Sequence, residues 1–347
     1  MPTDTLDAFI AMLPKVELHL HLETSLRLRR LAERAGEGPA LGAPHLVADP
    51  AVFVGYDRLR RLRYAGRVGR VPDAWYTRER IAAITAELLR EAAAQGVRHV
   101  EVRVGGRRGF TLLGVRGMLE AMAEGAASVR GLGIGYGAIV TVVRERGPDD
   151  AARLVAEAVA CRDCGVVGID LAGDEQNFPP ALFAAALRPA RDAGLGLAVH
   201  AGEFAGPAGI WTALYHLGAD RVGHGIRAVE DPALVDHLRD RSVTLEVCPT
   251  SNVRLGLVPS LAQHPVGMLR RAGVAVTINS DDPLLLGTTL TRELAAVARA
   301  HRLTPADLVE LQATAARAAF APDAVRRALD AAVRAAPLPA AGGSPAP

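Results

Sequence analysis

Lysine is almost missing from this chain. Lys15 is the only one, and every other member of its 40 basic residues is arginine. A Schiff-base lysine or a carboxylated, metal-bridging lysine is thereby excluded everywhere except beside residue 15. Aromatic residues are also scarce, at 4% of a chain that is 50% hydrophobic, so Ala, Leu and Val must fill the core. The three cysteines, Cys161, Cys164 and Cys248, form no disulfide pattern. Cys161 and Cys164 make a CxxC, but no second pair follows to complete a structural zinc site. They read as ordinary residues of the helical stretch AARLVAEAVACRDC, with a redox or metal role as the alternative. No run of about 18 apolar residues suggests a membrane span, and the N-terminus has no basic segment leading into a long apolar one. The expectation is a soluble cytoplasmic protein. A net charge of +2 argues against a strongly basic nucleic-acid surface. The densest basic run, Arg58, Arg60, Arg61 and Arg63, reads as a solvated face, with contact to an anionic substrate group or partner as the alternative.

What is present alternates. Short β-like runs stand at VELHLHL (16–22), VRHVEVRV (97–104), IGYGAIVTVV (134–143), VVGIDLAG (166–173), LGLAVHAG (195–202), RVGHGI (221–226), VTLEVCP (243–249) and VAVTINSD (274–281). Helical patterns rich in Ala, Leu, Arg and Glu lie between most of them, the clearest at 77–96 with Gly96 as its stop. Eight strands with helical crossovers predict a single (β/α)8 barrel in the α/β class, with extra helices. The first crossover is long. Residues 36–75, rich in Gly, Pro and Arg, read as an insertion after the first strand that walls or covers the barrel mouth. The barrel domain is expected over 1–334, followed by a low-complexity, disordered tail at 335–347.

His19 and His21 sit two apart on the first strand, so both leave the same face. Two inward imidazoles are costly to bury unless a proton or a metal satisfies their nitrogens; alone, the pair could equally be partly exposed polar residues at a strand end. The other strand ends decide against that. His200 with Glu203 just beyond, His224, and Asp281 with Asp282 each fall at the C-terminal end of a predicted strand, where barrel active sites are built. Histidine nitrogens and a carboxylate converging on one mouth suit zinc with an open position for water. A carboxylic acid near the metal can move protons, and Glu203 has the reach to do so. VGGRRG (104–109) completes no phosphate-loop pattern and reads as a loop at the mouth, where Arg107 or Arg108 could touch substrate. Asp170 reads as ordering the strand-end network.

PKVELHLHLETS (14–25), VVGIDLAGDE (166–175), HAGE (200–203), RVGHGI (221–226), EVCPTSN (246–252) and INSDDP (278–283) together resemble the adenosine deaminase family of the amidohydrolase superfamily, in family order. The resemblance implies that His19, His21, His200 and Asp281 are zinc ligands. It implies further that Glu203 is the proton shuttle, that His224 orients and stabilises the attacking hydroxide, and that Asp282 bonds the imidazole edge of the ring. Gly173 would offer its backbone amide to a ring nitrogen, and Glu23 would meet the ribose. Two-metal members of the superfamily bridge their metals with a central-strand lysine; none is available here, so one Zn2+ per chain is expected. Lys15 reads as a surface or strand-start residue.

One departure stands out: Thr24 occupies a position where the family pattern has glycine, which narrows the pocket or changes the loop. The expected activity is hydrolytic deamination of a 6-aminopurine nucleoside, adenosine or a close analogue. Adenine and aminodeoxyfutalosine are alternatives within the class. A zinc hydrolase of an ester, lactone or amide, and a non-catalytic metal-binding barrel, are the alternatives outside it. The expected partner is a small purine-type molecule, with neither nucleic acid nor membrane, and a homo-oligomer is possible.

Overall fold

The computed structural model describes residues 3–22, 24–37, 72–105 and 107–339. Strands β1 (Lys15–His21), β2 (Val97–Val104), β3 (Gly135–Val143), β4 (Val166–Ala172), β5 (Gly196–Ala201), β6 (Arg221–His224), β7 (Thr244–Val247) and β8 (Val276–Ile278) run in that order around one sheet. Every neighbouring pair is parallel. All eight expected strands are present, and helices ring them, so the chain forms a (β/α)8 barrel. Their ends shift because the sequence marks where apolar runs stop, whereas pairing stops where a strand turns outward to build the mouth. The helix expected at 77–96 spans Arg78–Ala94, capped by the Thr77 side chain, which accepts from the Arg80 N–H. Gly96 ends it with a φ of +79°.

The barrel closes between β8 and β1 along an unusual seam. Among the described residues, backbone bonds join them only at the mouth, where His21 N–H donates to the Asp281 carbonyl at 2.8 Å and Asp281 N–H to the His19 carbonyl at 3.0 Å. Deeper down, side chains replace the ladder. The Asn279 Oδ1 accepts from the backbone of Leu18 at 3.0 Å and of His19 at 3.2 Å. The buried Glu17 carboxylate accepts from Ser280 N–H at 2.8 Å.

Aliphatic side chains fill the layer between strands and helices, as the composition requires. The barrel axis is different. Branched aliphatics usually pack it, but here buried charges do. Arg221 bonds Glu101 at 2.5 Å and Glu246 at 2.6 Å, and Arg103 bridges Glu246 and Asp170. Phe320 closes the foot beneath this ladder, its ring centroid 3.5 Å from the Arg221 guanidinium. A Cβ on Gly196 or Gly168 would strike that ring.

Lys15 and the two neighbouring cysteines, Cys161 and Cys164, do not sit quite as expected. Lys15 starts β1 but is fully buried, not at the surface, and its ammonium donates to the carbonyls of Ala11, Leu13 and Gln95. Burial lowers its pKa to about 8. Thr24 opens the helix Thr24–Arg34 and is buried there. Cys161 and Cys164 lie just past the helix Gly147–Ala160, in its cap and a following turn, and both are buried free thiols. Residues 38–71 of the expected insertion, with the Arg58–Arg63 run, and 340–347 of the tail lie outside the described residues. Among the described residues no helix is long and apolar enough to cross a membrane.

Candidate active site

Strand alternation carries His19 and His21 to the mouth, where they meet His200 from β5 and His224 from β6. Ring centroids lie 4.6 Å apart for His19 and His200, 5.4 Å for His19 and His21, 4.9 Å for His19 and His224, and 5.1 Å for His200 and His224. Such an approach needs space, and Gly223 provides it: a Cβ there would press on both His19 and His200 at 3.2 Å. Asp281 reaches in from the end of β8, its Oδ1 3.4 Å from Nε2 of His21 and 3.7 Å from Nε2 of His19. His224 and Asp281 both hold positive φ, 58° and 60°. That region is sparsely populated by residues other than glycine, and it turns both side chains toward the cluster.

Hydrogen bonds beneath the cluster set its protons. Nδ1 of His19 lies 2.9 Å from the Glu246 carboxylate, and Nδ1 of His200 lies 2.9 Å from Asp170. Burial alone would raise the Asp170 carboxyl, but His200 and Arg103 hold it well below the usual carboxylate range. A carboxylate only accepts. Both rings therefore carry their proton on Nδ1 and leave the Nε2 lone pair toward the mouth. Burial first, then Arg103 and the other histidines, keeps His19 neutral. Its Nε2 is buried with no hydrogen-bond partner, which costs about 1–3 kcal/mol if left so. A divalent cation would satisfy it. The nitrogen and oxygen donors of His19, His21, His200 and Asp281 fit zinc in type and number, and Asp170 and Glu246 are the acceptors that orient such ligands.

A second group, His19, His224 and Cys248, is equally close. It suits a metal less well, because the buried Cys248 thiol is pushed well above its usual pKa by burial and by the Asp281 carboxylate. Its Sγ also lies 3.6 Å from the Glu246 carbonyl, to which it can donate. Changing Glu246 should disturb metal and barrel together. Glu246→Gln is expected to destabilise the metal-free protein by about 3 kcal/mol, since it removes the charge that Arg103 and Arg221 share and leaves each buried guanidinium with one carboxylate, Asp170 or Glu101. It should also weaken zinc retention about 10- to 100-fold, read by chemical denaturation and by chelator competition. Unchanged zinc retention would mean that Glu246 does not orient His19.

Glu203 follows β5 and is buried at the mouth, its Oε2 3.6 Å from Nε2 of His224. Its loop is fixed by a residue that sequence reasoning missed. The buried Glu175 carboxylate accepts three consecutive backbone N–H groups, Gly202 at 2.8 Å, Glu203 at 3.1 Å and Phe204 at 3.2 Å. Arg144, also missed and fully buried, donates to the His200 carbonyl at 2.6 Å and to the Phe178 carbonyl at 2.7 Å. Asp282 is buried beside Asp281, immediately before the short helix Pro283–Leu286. Gly173 lies at the end of β4 with a φ of +114°, and any Cβ there would collide with the Glu145 carboxylate. Glu23 lies outside the described residues, and so does the side chain of Arg107. Arg108 pairs with Asp73 on the surface.

A cavity of about 1620 Å³ opens at the other end of the barrel, around Arg221 and Phe320. Its arginines are largely committed: Arg317 to Glu310 and Asp330, Arg326 to Asp323, and Arg221 to Glu101 and Glu246. An anion there would have to displace them, and the histidine cluster lies at the opposite mouth.

Known proteins share this arrangement of chain. The family model described as adenosine deaminase matches residues 14–336. The chain is 36% identical over 313 residues to an adenosine deaminase of Serratia proteamaculans (strain 568), covering 89% of this chain and 94% of that protein. It is also 36% identical over 327 residues to an adenine deaminase of Chelativorans sp. (strain BNC1), covering 92% and 97%. Among solved structures, an amidohydrolase from Burkhoderia ambifaria with bound Zn superposes with a TM-score of 0.82 at 29% identity, over 96% of this chain and 93% of that one.

Proposed function

Because the chain belongs to the adenosine deaminase family, and is thus an aminohydrolase acting on a purine C–N bond, we propose that its substrate is a 6-aminopurine nucleoside. Adenosine or a close analogue would be converted to the 6-oxo product with release of ammonia. The observation that carries this reading is the convergence of His19, His21, His200 and Asp281 at one mouth with the buried Glu203 carboxyl beside His224.

One zinc per chain would be held by His19, His21, His200 and Asp281. When bound, it supplies Lewis acidity that brings the pKa of a water near 7. Glu203 then has two tasks. A purine ring resists attack until a nitrogen beside the amino-bearing carbon is protonated, and Glu203 delivers that proton. The leaving ammonia needs another, which Glu203 passes on after taking it from the water, and the water's second proton returns to Glu203 as the C–OH becomes the 6-oxo group. His224 aligns the attacking oxygen by a hydrogen bond. Asp282 accepts from the imidazole edge of the ring, the Gly173 N–H donates to a ring nitrogen, and Glu23 sits on the ribose side.

A second reading, the free base adenine, is supported by the equal identity to an adenine deaminase. Initial rates of ammonia release by zinc-loaded enzyme separate the two. The panel is adenosine, deoxyadenosine, adenine, AMP, aminodeoxyfutalosine and methylthioadenosine. The highest kcat/KM is expected for adenosine. A preference for adenine by about 100-fold or more, worth about 2.7 kcal/mol of transition-state binding, would replace the nucleoside reading with the base. Release from none of the six would refute both.

A further inference from the structure

The EVCPTSN stretch ends in Asn252, whose side chain is fully buried in the helix Pro249–Arg254 and to which the proposed reaction gives no task. Its amide lies between two histidines. Nδ2 is 3.2 Å from Nδ1 of His224, and Oδ1 is 3.1 Å from Nε2 of His264. Nδ1 of His264 in turn lies 3.1 Å from the backbone nitrogen of Val266. Val266 opens the helix Val266–Arg271, so its N–H has no acceptor within that helix.

The direction of every bond in this row follows from its fixed end. A peptide N–H can only donate, so Nδ1 of His264 accepts and bears no proton. Burial lowers the His264 pKa to about 3, so the ring is neutral and its single proton is on Nε2. That N–H requires an acceptor, which obliges Asn252 to present Oδ1 to His264 and Nδ2 to His224. An amide NH2 only donates, so Nδ1 of His224 accepts. The proton of a neutral His224 must then sit on Nε2, the nitrogen that faces Glu203.

On the reading of this site as a deaminase centre, we infer that Asn252 and His264 are positioning residues that fix His224 as the Nε2–H tautomer, so that it donates a hydrogen bond to the attacking oxygen and is withheld from the metal. His19 and His200 have the opposite arrangement, with Nδ1–H donated to carboxylates and the Nε2 lone pair outward. Rings only about 5 Å apart are thus sorted into electron-pair donors and a hydrogen-bond donor by what lies behind each one. The same sorting removes His224 from the group it forms with His19 and Cys248.

The test reads the protons directly. Zinc-loaded enzyme carrying 15N-labelled histidine is examined by long-range 1H–15N correlation, which reports the ring nitrogen that bears the proton; His224→Gln and His264→Gln spectra assign the signals. Nε2–H is expected at His224 and His264, against Nδ1–H at His19 and His200. A wild-type His224 with its proton on Nδ1 overturns the inference, whether or not any variant folds. Asn252→Asp keeps the side-chain shape but accepts at both oxygens, so it should move the His224 proton to Nδ1. Its kcat is expected to fall about 10²- to 10³-fold, the loss typical of one aligned donor, with KM changed by less than about threefold. An unchanged kcat in a variant whose proton has moved overturns the donor role. If the wild type released no ammonia from any purine, the deaminase reading would fall, while the spectrum would still decide the tautomer.

Discussion

Glu203→Gln is expected to lower kcat for ammonia release by about 10³- to 10⁴-fold, with zinc content and KM nearly unchanged. The substitution is isosteric, and the three backbone bonds from Gly202, Glu203 and Phe204 to Glu175 remain, so the loop keeps its place. Only the exchangeable proton is lost. The magnitude is at the upper end for one acid–base group because Glu203 would serve twice, at the ring nitrogen and at the departing ammonia. Steady-state assays beside metal analysis check it. A Gln variant within about tenfold of wild type would take the shuttle role from Glu203, a loss of that size being too small for a group that moves both protons.

Stripping the metal should have the largest effect. Dialysis against a strong chelator is expected to abolish ammonia release, and one equivalent of Zn2+ per chain to restore it. The apoprotein should also be less stable. At zinc concentrations about 1,000-fold above its Kd, a ligand that binds only the folded state contributes about 4 kcal/mol, so thermal unfolding should shift down measurably on chelation. Full activity in protein freed of metal would remove His19, His21, His200 and Asp281 from the reaction. Restoration only at two equivalents would replace the single-metal site with a double one.

The strands were readable because each is an aliphatic run short enough to exclude a helix, and the mouth because His19, His21, His200, His224, Asp281 and Asp282 all close such runs. What escaped was mostly beneath or behind these residues. In VRHVEVRV the charged residues alternate with valines, a pattern that elsewhere marks a solvated face. A barrel strand covered by helices has no such face, and Glu101 and Arg103 therefore point into the axis. Lys15 does start its strand, but its burial was missed for a similar reason: the carbonyls that bury it come from Ala11, Leu13 and a loop 80 residues on. Glu175, Arg144 and Asn252 act through partners distant in the chain, on backbone groups or on rings whose protons no spacing rule describes. The motif HAGE shows that Glu203 is there, but the carboxylate that holds it still is in another strand's loop.

The β8–β1 seam gives the site a mechanical meaning. Elsewhere the staves of this barrel are paired by parallel backbone ladders, with register shifts in β1–β2 and β3–β4; at this joint, side chains of Asn279 and Glu17 stand in for them. His19 and His21 lie on one lip of the joint and Asp281 on the other. A cation shared across it would act as a clasp, tying the first stave to the last and closing nearly the whole chain into a ring. Local opening of the joint would then break the catalytic centre while the remaining staves stayed paired. Inactivation on warming would begin at this joint, ahead of global unfolding.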